Sequence, residues 1–523
     1  MGPVGKILHI AALLVEVVTT ALSLLSPPDF VWAALGFGAD RHVLVAELPH
    51  ALEVVGVVPQ LTLEHVDGLV EEMRAVFLTG LTRPLTKRRE QLRALRQLVV
   101  ENEAEMLGAL AADLGRPKFE GLFYDVLGVV HEIDHLLGHL DEYAAAECKG
   151  INLLSFPASS YIVKEPFGTA LVIGTWNFPF QLALVPMAGA IAAGNNVVLK
   201  PCNVAPATAA LLERLLATYM DPRVVSVIGP AMKGDRTTTA ALLEHKWDKI
   251  FFTGSPTVGK VVARAAAEHL TPVTLELGGK NPVFVDASAD IALAAKRTVW
   301  GRGMNAGQQC ISPDYVLAHE SVARAMAEVM GQWMGQFYAS EADVGRIVGD
   351  SQMRRIVNML EESGGEVIHG GHYDLKSRYF EPTVVMVPMD SPALDDETFG
   401  PILWVVSVPS MDAAIHHVNS RPKPLSLYVF ANDQDVAQRI VTNTSAGGCT
   451  INATLFHCTH PELPFGGVGE SGSGAYHGKA TFDTFTHEKP VLRKMFGFFD
   501  PFFLYPPWTD FKVTVLRFLA KLV

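Results

Sequence analysis

The chain is read as an α/β protein: a parallel, doubly wound sheet followed by a second α/β domain. Three observations predict this. Its 523 residues are too many for one hydrophobic core and call for two or three domains. Between Tyr161 and Val258, short β-rich runs alternate regularly with helix-length segments, the pattern of strands that cross over through helices. A second alternation runs from Pro282 to Val406 and includes Val283 to Val285, Tyr315 to Leu317 and Leu403 to Val406.

In chain order, residues 62–145 read as helices. Leu61 to His65 opens one, and Lys87-Arg88-Arg89-Glu90 starts another on a solvated face. A strand is expected at 161–164, then an apolar strand at 170–174. The turn at Asn177-Phe178-Pro179 leads to an apolar helix ending near Gly194, and Asn195-Asn196 turns into a strand ending at Lys200. Next come a helix over 206–219, a strand over 224–228, a helix over 236–245, a strand over 249–252 and a helix from Val258. Asn281-Pro282 reads as the crossover between the two halves. Ligands of such sheets bind beyond the carboxyl ends of the strands.

Composition narrows the function. Hydrophobic residues make 49% and charged residues 19% of a chain with net charge −13; this is globular, and its charge argues against nucleic acid as a partner. Cys148, Cys202, Cys310, Cys449 and Cys458 are scattered without a CxxC pair, which fits reduced thiols. His457, Cys458 and His460 lack a second ligand pair at metal-site spacing, so this stretch reads as a structural loop and no metal is expected.

The ends are unlike the body. Residues 7–25 form a mostly apolar run between Lys6 and Ser26-Pro27-Pro28, with Glu16 in its middle. A membrane-inserted or monotopic anchor, a cleaved signal and a docked helix all remain open. At the other end, an aromatic stretch from Phe496 to Trp508 precedes Thr509, a cap for a last helix. There Phe511, Val515, Phe518, Leu519 and Leu522 share one face, and Lys512, Arg517 and Lys521 supply a basic polar side. That helix suits a membrane interface or a groove on its own protein.

Five stretches carry chemistry. Cys310 stands in Trp300-Gly-Arg-Gly-Met-Asn-Ala-Gly-Gln-Gln-Cys-Ile-Ser-Pro313, where small residues leave room for a substrate to reach a thiolate. Glu276 lies between two leucines on a strand, 34 residues before Cys310. It is either a structural carboxylate satisfied by the Gly278-Gly279 turn amides or a buried general base. Asn177, at the end of a strand, is a turn residue or a donor to a developing oxyanion. Thr253-Gly-Ser-Pro-Thr-Val-Gly-Lys260 opens a helix with free N–H groups suited to phosphate, and Glu397 sits beside Phe399 in a tight turn.

Together, Thr175-Trp-Asn-Phe-Pro179, Lys200-Pro201, Phe252-Thr-Gly-Ser255 with Gly259, Leu275-Glu-Leu-Gly-Gly-Lys280, Gly307-Gln-Gln-Cys310, Glu397-Thr-Phe-Gly-Pro401 and Pro464-Phe-Gly-Gly-Val-Gly469 resemble the aldehyde dehydrogenase superfamily over roughly residues 60–508. The ending Leu463 to Lys479, with Phe482 and Thr486-His487, looks like its class 3, fatty aldehyde dehydrogenase-like branch. The resemblance implies a Rossmann-type cofactor domain over 60–275 with an oligomerisation strand at about 148–164, and a catalytic domain over 276–455. It also implies a return segment and oligomerisation arm over 456–495, with a hydrophobic extension at 1–59 and an aromatic, amphipathic tail at 496–523.

It further implies the oxidation of medium- or long-chain aliphatic aldehydes to carboxylic acids with NAD, NADP being tolerated. Cys310 would form a thiohemiacetal and then a thioester. Asn177 would hold the oxyanion and Glu276 would activate the hydrolytic water. Thr175, Trp176, Lys200, Asn203, Gly254, Ser255, Gly259, Glu397 and Phe399 would bind cofactor: Lys200 and Glu397 at ribose, Phe399 at the nicotinamide end, Gly254 and Ser255 at pyrophosphate. A homodimer is implied, held to a membrane interface through its termini, its site facing a reducing compartment on the cytoplasmic side. Two departures stand out. Asn203 replaces the Glu found in many relatives, and Gln309 replaces the Thr or Val often seen beside the nucleophile. The competing functions are a catalytically silent structural member and an acylating dehydrogenase; intact Cys310, Glu276 and Asn177 count against the first and Glu276 against the second.

Overall fold

The computed structural model describes residues 66–152, 155–229, 235–494 and 504–521. The apolar run at 7–25, the helix opening at Leu61 to His65 and the first part of the aromatic stretch after Phe496 lie outside the described residues.

Helices open the described chain, as expected over 62–145: Val66–Leu78, Leu85–Glu101, Glu103–Leu114 and Gly128–Ala144. Between the last two runs a π-helix, Gly121–Leu127. The Lys87 to Glu90 run starts a helix, but not on a wholly solvated face. Arg88 is buried, and its Nη1 and Nε donate to the carbonyls of Ala192 and Thr82, both at 3.1 Å. The room comes from Gly194, which caps the apolar helix Gln181–Ala193 in the left-handed region at φ 94°; a Cβ there would lie 2.6 Å from the guanidinium carbon.

The first sheet holds β1 (Thr169–Ile173), β2 (Asn196–Lys200), β3 (Val225–Val227), β4 (Lys249–Thr253) and β5 (Val273–Glu276). β1 pairs in parallel with both β2 and β4, β2 with β3, and β4 with β5. The chain therefore winds outward from β1 in one direction and returns to its other side. The gap between β1 and β4 is the switch point where such sheets bind ligands. β1, β2 and β4 are buried throughout, as strands covered by helices on both faces must be. The helix after β2 spans Pro206–Tyr219, with proline at its first position. The helix after β4 begins at Pro256 rather than Val258, because Ser255 caps it by accepting from the Val258 N–H at 3.4 Å.

The chain leaves β5 through Leu277 to Asn281 and enters a second sheet. This sheet contains β6 (Pro282–Val285), β7 (Tyr315–His319), β8 (Glu366–His369), β9 (Thr383–Met386), β10 (Ile402–Val408), β11 (Ser426–Phe430) and β12 (Gly448–Ile451), in the order β8-β9-β10-β7-β6-β11-β12. Only the β8 pairing is antiparallel. β13 (Gly472–Ser473) returns to the first sheet and pairs antiparallel with β5 at Glu276 and Leu275.

A separate three-stranded sheet joins Glu147–Lys149, Ala158–Pro166 and Thr486–Lys494, the last lying along the whole of Ala158–Pro166. At the end, Thr509 caps a helix over Asp510–Leu519 as expected, and none of that helix's residues is buried. Among the described residues no helix is long and apolar enough to cross a membrane.

Candidate active site

The carboxyl ends of the first sheet meet the amino ends of the second. β1 delivers Thr175, Trp176 and Asn177, β4 delivers Thr253 to Ser255, and β5 ends on Glu276. From the other side, Cys310 precedes β7, and Glu397 and Phe399 precede β10. These residues line one cavity of about 260 Å3, together with Leu277, Gly278, Gln352 and Arg355. Three expected residues are not among its lining. Lys200 ends β2, buried, its Nζ donating to the Pro201 carbonyl at 3.2 Å; its own carbonyl accepts from Gly174 N–H at 3.0 Å, next to the cavity's first strand. Asn203 lies in the turn that follows. Gly259 packs: a Cβ there would lie 2.6 Å from Leu277 Cδ2, so its lack of a side chain lets the helix approach the cavity floor.

A second cavity, about 300 Å3, opens on the far side of Cys310. Its wall is mostly apolar and includes Phe123, Leu127, Leu182, Val185, Ile311 and Phe465. Gln309 lines it, and its amide braces the segment before Cys310 by donating to Met304 O at 2.9 Å and Gly301 O at 3.3 Å. Cys458 and Tyr476 share this cavity with Cys310. The π-helix that turns Phe123, Tyr124 and Leu127 into it has no signature in the sequence, where 121–127 reads as ordinary apolar helix.

The nucleophile segment is held under backbone strain. Asn305 and Ala306 both have φ 51°, and Gly307 has φ 72°. A Cβ at Gly307 would lie 2.1 Å from the Gly400 carbonyl oxygen, so glycine is required both by conformation and by space. Asn281 fastens the end of the segment: its Nδ2 donates to the carbonyls of Cys310 at 2.8 Å and Ser312 at 2.9 Å, and its Oδ1 accepts from Ser426 N–H at 2.8 Å. Asp314 was not legible as a functional residue. It accepts from Lys280 Nζ at 2.6 Å, Thr398 N–H at 2.8 Å and Thr398 Oγ1 at 2.6 Å, and so sets the turn between Glu397 and Phe399. Arg355 grips the same turn through the carbonyls of Glu397 at 3.0 Å and Thr398 at 2.6 Å. The Phe399 ring meets Trp176 edge-on with centroids 5.5 Å apart.

The reading of Glu276 as a structural carboxylate fails. The residue is 3% exposed, and neither of its oxygens has a hydrogen-bond partner. The turn amides serve another group: Gly279 bonds Glu397, and Glu397 Oε2 occupies the space 2.2 Å from where a Gly278 Cβ would stand. Burial holds the Glu276 carboxyl well above the ordinary carboxylate range. Burial, followed by the nearby charge of Asp314, pushes Glu397 up to about 8. The Cys310 thiol is likewise raised, first by burial and then by Glu397 and Glu276. The resting crevice therefore favours a thiol and protonated acids over three buried charges. Asn177 is 2% exposed and donates from Nδ2 to the Gln308 carbonyl at 3.2 Å, beside the nucleophile.

His457 lies in a short 3-10 turn, Phe456–Thr459. Its two ring nitrogens bond Thr450 Oγ1 at 2.9 Å and Ser426 Oγ at 3.0 Å. Among the described residues no cluster of side chains could hold a metal ion, and Cys148, Cys310, Cys449 and Cys458 form no disulfide.

Known proteins share this arrangement. A family model described as the aldehyde dehydrogenase family matches residues 39–491, and the chain belongs to that family. It is 43% identical over 435 residues to a mouse (Mus musculus) protein named "Aldehyde dehydrogenase, dimeric NADP-preferring", covering 82% of this chain and 95% of that one. It is 41% identical over 455 residues to mouse aldehyde dehydrogenase family 3 member A2, covering 86% and 93%. Among solved structures, the substrate-bound state of Staphylococcus aureus AldH superposes with a TM-score of 0.83 at 39% identity, covering 87% of this chain and 99% of that one.

Glu397 gives the site a pH signature. Its folded value of about 8 lies above the unfolded value near 4.5, so its contribution to stability is complete below 4.5 and is lost as pH rises through 8. Glu397→Gln removes that loss. The Tm of the ligand-free variant minus that of wild type is expected to grow more positive from pH 5 to pH 8.5. A difference that stays flat across this range would count against a buried, poorly partnered carboxyl.

Proposed function

We propose that this aldehyde dehydrogenase oxidises medium- or long-chain aliphatic aldehydes to carboxylic acids through a covalent adduct on Cys310, with NAD or NADP. The observation that carries the reading is the place of Cys310 between two cavities, one lined by apolar side chains and the other by strand ends and a helix N-terminus. The second suits a dinucleotide. Ser255 and Gly254 lie at the start of the helix Pro256–Glu268, where backbone N–H groups favour phosphate. Thr253 Oγ1 and Glu397 Oε1 are buried without partners and so are available to ribose or amide groups. Lys200 and Glu397 would hold ribose, and Thr175, Trp176 and Phe399 would frame the nicotinamide end. When bound, the oxidised nicotinamide accepts a hydride.

The chain's own residues supply the rest. Cys310 attacks the carbonyl carbon as thiolate. The Asn177 side-chain amide and the Cys310 backbone N–H donate to the oxyanion that forms. Loss of hydride leaves a thioester. Glu276, buried and without a fixed partner, takes a proton from the water that hydrolyses it. A base that activates water favours a free acid over a coenzyme A thioester as product, and the intact groups favour an active over a silent protein.

Two further features belong to the reading. The helix Asp510–Leu519 buries none of its residues and carries Lys512 and Arg517, with Lys521 just beyond it, which supports a membrane interface. The three-stranded sheet leaves Thr486–Lys494 on its edge and largely exposed, which supports pairing of two subunits there. Cys148, Cys310, Cys449 and Cys458, which form no disulfide, support a reducing, cytoplasmic-side location.

Cys310→Ser is expected to lower turnover by more than roughly 10³-fold while cofactor still binds; near-normal turnover would overturn the assignment. Glu276→Gln should retain a burst of reduced cofactor and then slow, because deacylation is the step that needs the base, and equal loss in both phases would contradict that role. Asn203 lacks the charge that would repel a 2′-phosphate, so kcat/KM for NAD and NADP should differ by no more than about a hundredfold, and Asn203→Glu should sharpen the preference for NAD. Rejection of NADP by many thousandfold in the wild type would show that another residue selects. Light scattering should return a dimer mass, and deletion of 509–523 should weaken sedimentation with anionic liposomes; a monomer mass, or full-length protein left in the supernatant, would remove the corresponding claim.

A further inference from the structure

We infer that Arg116 is a positioning residue for the oxyanion site: its guanidinium fixes Asn177 against the segment that carries Cys310. This rests on the aldehyde-oxidation reading above. Gly115, at φ 55°, ends the helix Glu103–Leu114 in the left-handed region and turns the chain inward, passing where a Cβ would lie 2.7 Å from Arg346 Cγ. The Arg116 side chain that follows has no exposed surface.

Every face of that guanidinium is used. Nη1 pairs with Asp125, which is equally inaccessible, and Nη2 donates to the Asn177 carbonyl. Nε donates to Asn305 Oδ1 at 3.2 Å, and the guanidinium carbon stands 4.6 Å from the centroid of the Phe178 ring. Asp125 extends the grip by accepting from the Phe180 N–H at 3.0 Å and the Gln181 N–H at 3.1 Å. One ion pair thus holds the backbone from 177 to 181. Asn305 closes the link: its Nδ2 donates to the Asn177 carbonyl and the Gln308 carbonyl, both at 3.0 Å. The planar fork of arginine reaches these partners at once, which the single ammonium of lysine cannot do.

The nucleophile segment has anchors of its own. Asn305 N–H donates to Glu120 at 2.8 Å, Gln308 bonds the backbone of Arg346 and Val348 at 3.0 Å each, and Asn281 holds the Cys310 carbonyl at 2.8 Å. Loss of the arginine fork should therefore loosen Asn177 while the thiol stays in place.

The test separates these two effects in the full-length enzyme with its cofactor. In Arg116→Lys, kcat/KM for aldehyde and the burst rate should fall roughly 10- to 100-fold, the cost of misplacing a group by about an ångström. The cofactor Kd should be unchanged. Alkylation of Cys310 by iodoacetamide, which develops no oxyanion, should keep its rate within about threefold. Added to Asn177→Ala, the lysine substitution should cost no more than about threefold further, because both changes remove one function. A wild-type burst rate in Arg116→Lys overturns the inference. So does equal slowing of burst and alkylation, or full additivity with Asn177→Ala. Should Arg116→Lys fail to fold, Asp125→Asn carries the same test at roughly tenfold, and an unchanged burst there overturns it equally. Loss of the Cys310-dependent burst in Cys310→Ser is read independently, so failure of the parent reading shows in that variant and not in these.

Discussion

The side-chain amide of Asn281 sits where the chain passes from one sheet to the other, and the placing of the Cys310 segment depends on it. Its nitrogen holds the carbonyls of Cys310 and Ser312, and its oxygen holds the start of β11. A strand end of the first sheet, the nucleophile segment and a strand of the second sheet are thereby tied through one planar group. Each bond satisfies a backbone group in the interior, where an orphaned carbonyl or N–H is costly. The tie lies five residues beyond Glu276 and bonds the Cys310 carbonyl, so it bears on how the two residues are placed in one cavity.

Around this junction the inner ionisable groups are buried and largely unpaired. Glu276 has no hydrogen-bond partner, Glu397 has one oxygen without, and Cys310 is pushed up by both burial and its acidic neighbours. Charge is placed instead one layer further out, where it is paired. Asp314 takes Lys280 and Thr398, and Arg116 takes Asp125. The outer pairs orient the turn and loops, and the inner groups stay free to change protonation as chemistry requires. Burial favours the neutral form of each of these inner groups.

The second cavity gives the substrate side a different character. Its walls come from the π-helix, the apolar helix beginning at Gln181 and the segment around Phe465 and Tyr476. Strand ends and a helix N-terminus line the first cavity, and aromatic and aliphatic side chains line the second. Cys310 is the residue at which the two environments touch.

Local chemistry made much of this legible. The helix Pro206–Tyr219 was readable because proline at its first position and the apolar period are local signals, and the end of the helix before Gly194 because only glycine takes the left-handed cap cheaply. The motif residues Asn177, Glu276, Cys310, Glu397 and Phe399 were readable as candidates, and the fold brings them to one cavity. Their partners were not. The sequence left open whether the Gly278-Gly279 turn satisfies Glu276, and the answer lay in Glu397, 121 positions away, which occupies that turn. Arg88 read as a surface charge because burial depends on a void at Gly194 more than a hundred residues later. Arg116, Asp125 and Asp314 carry no local pattern, since a buried ion pair is specified by which distant backbone groups lack partners. The sequence by itself determined the alternating helices and strands of the first sheet and the candidate reactive groups, signals encoded within a few residues. Only the tertiary structure decided which charges are buried, which amides meet which carboxylates and that the second sheet offers its amino ends, because those outcomes depend on space left by residues far apart in the chain.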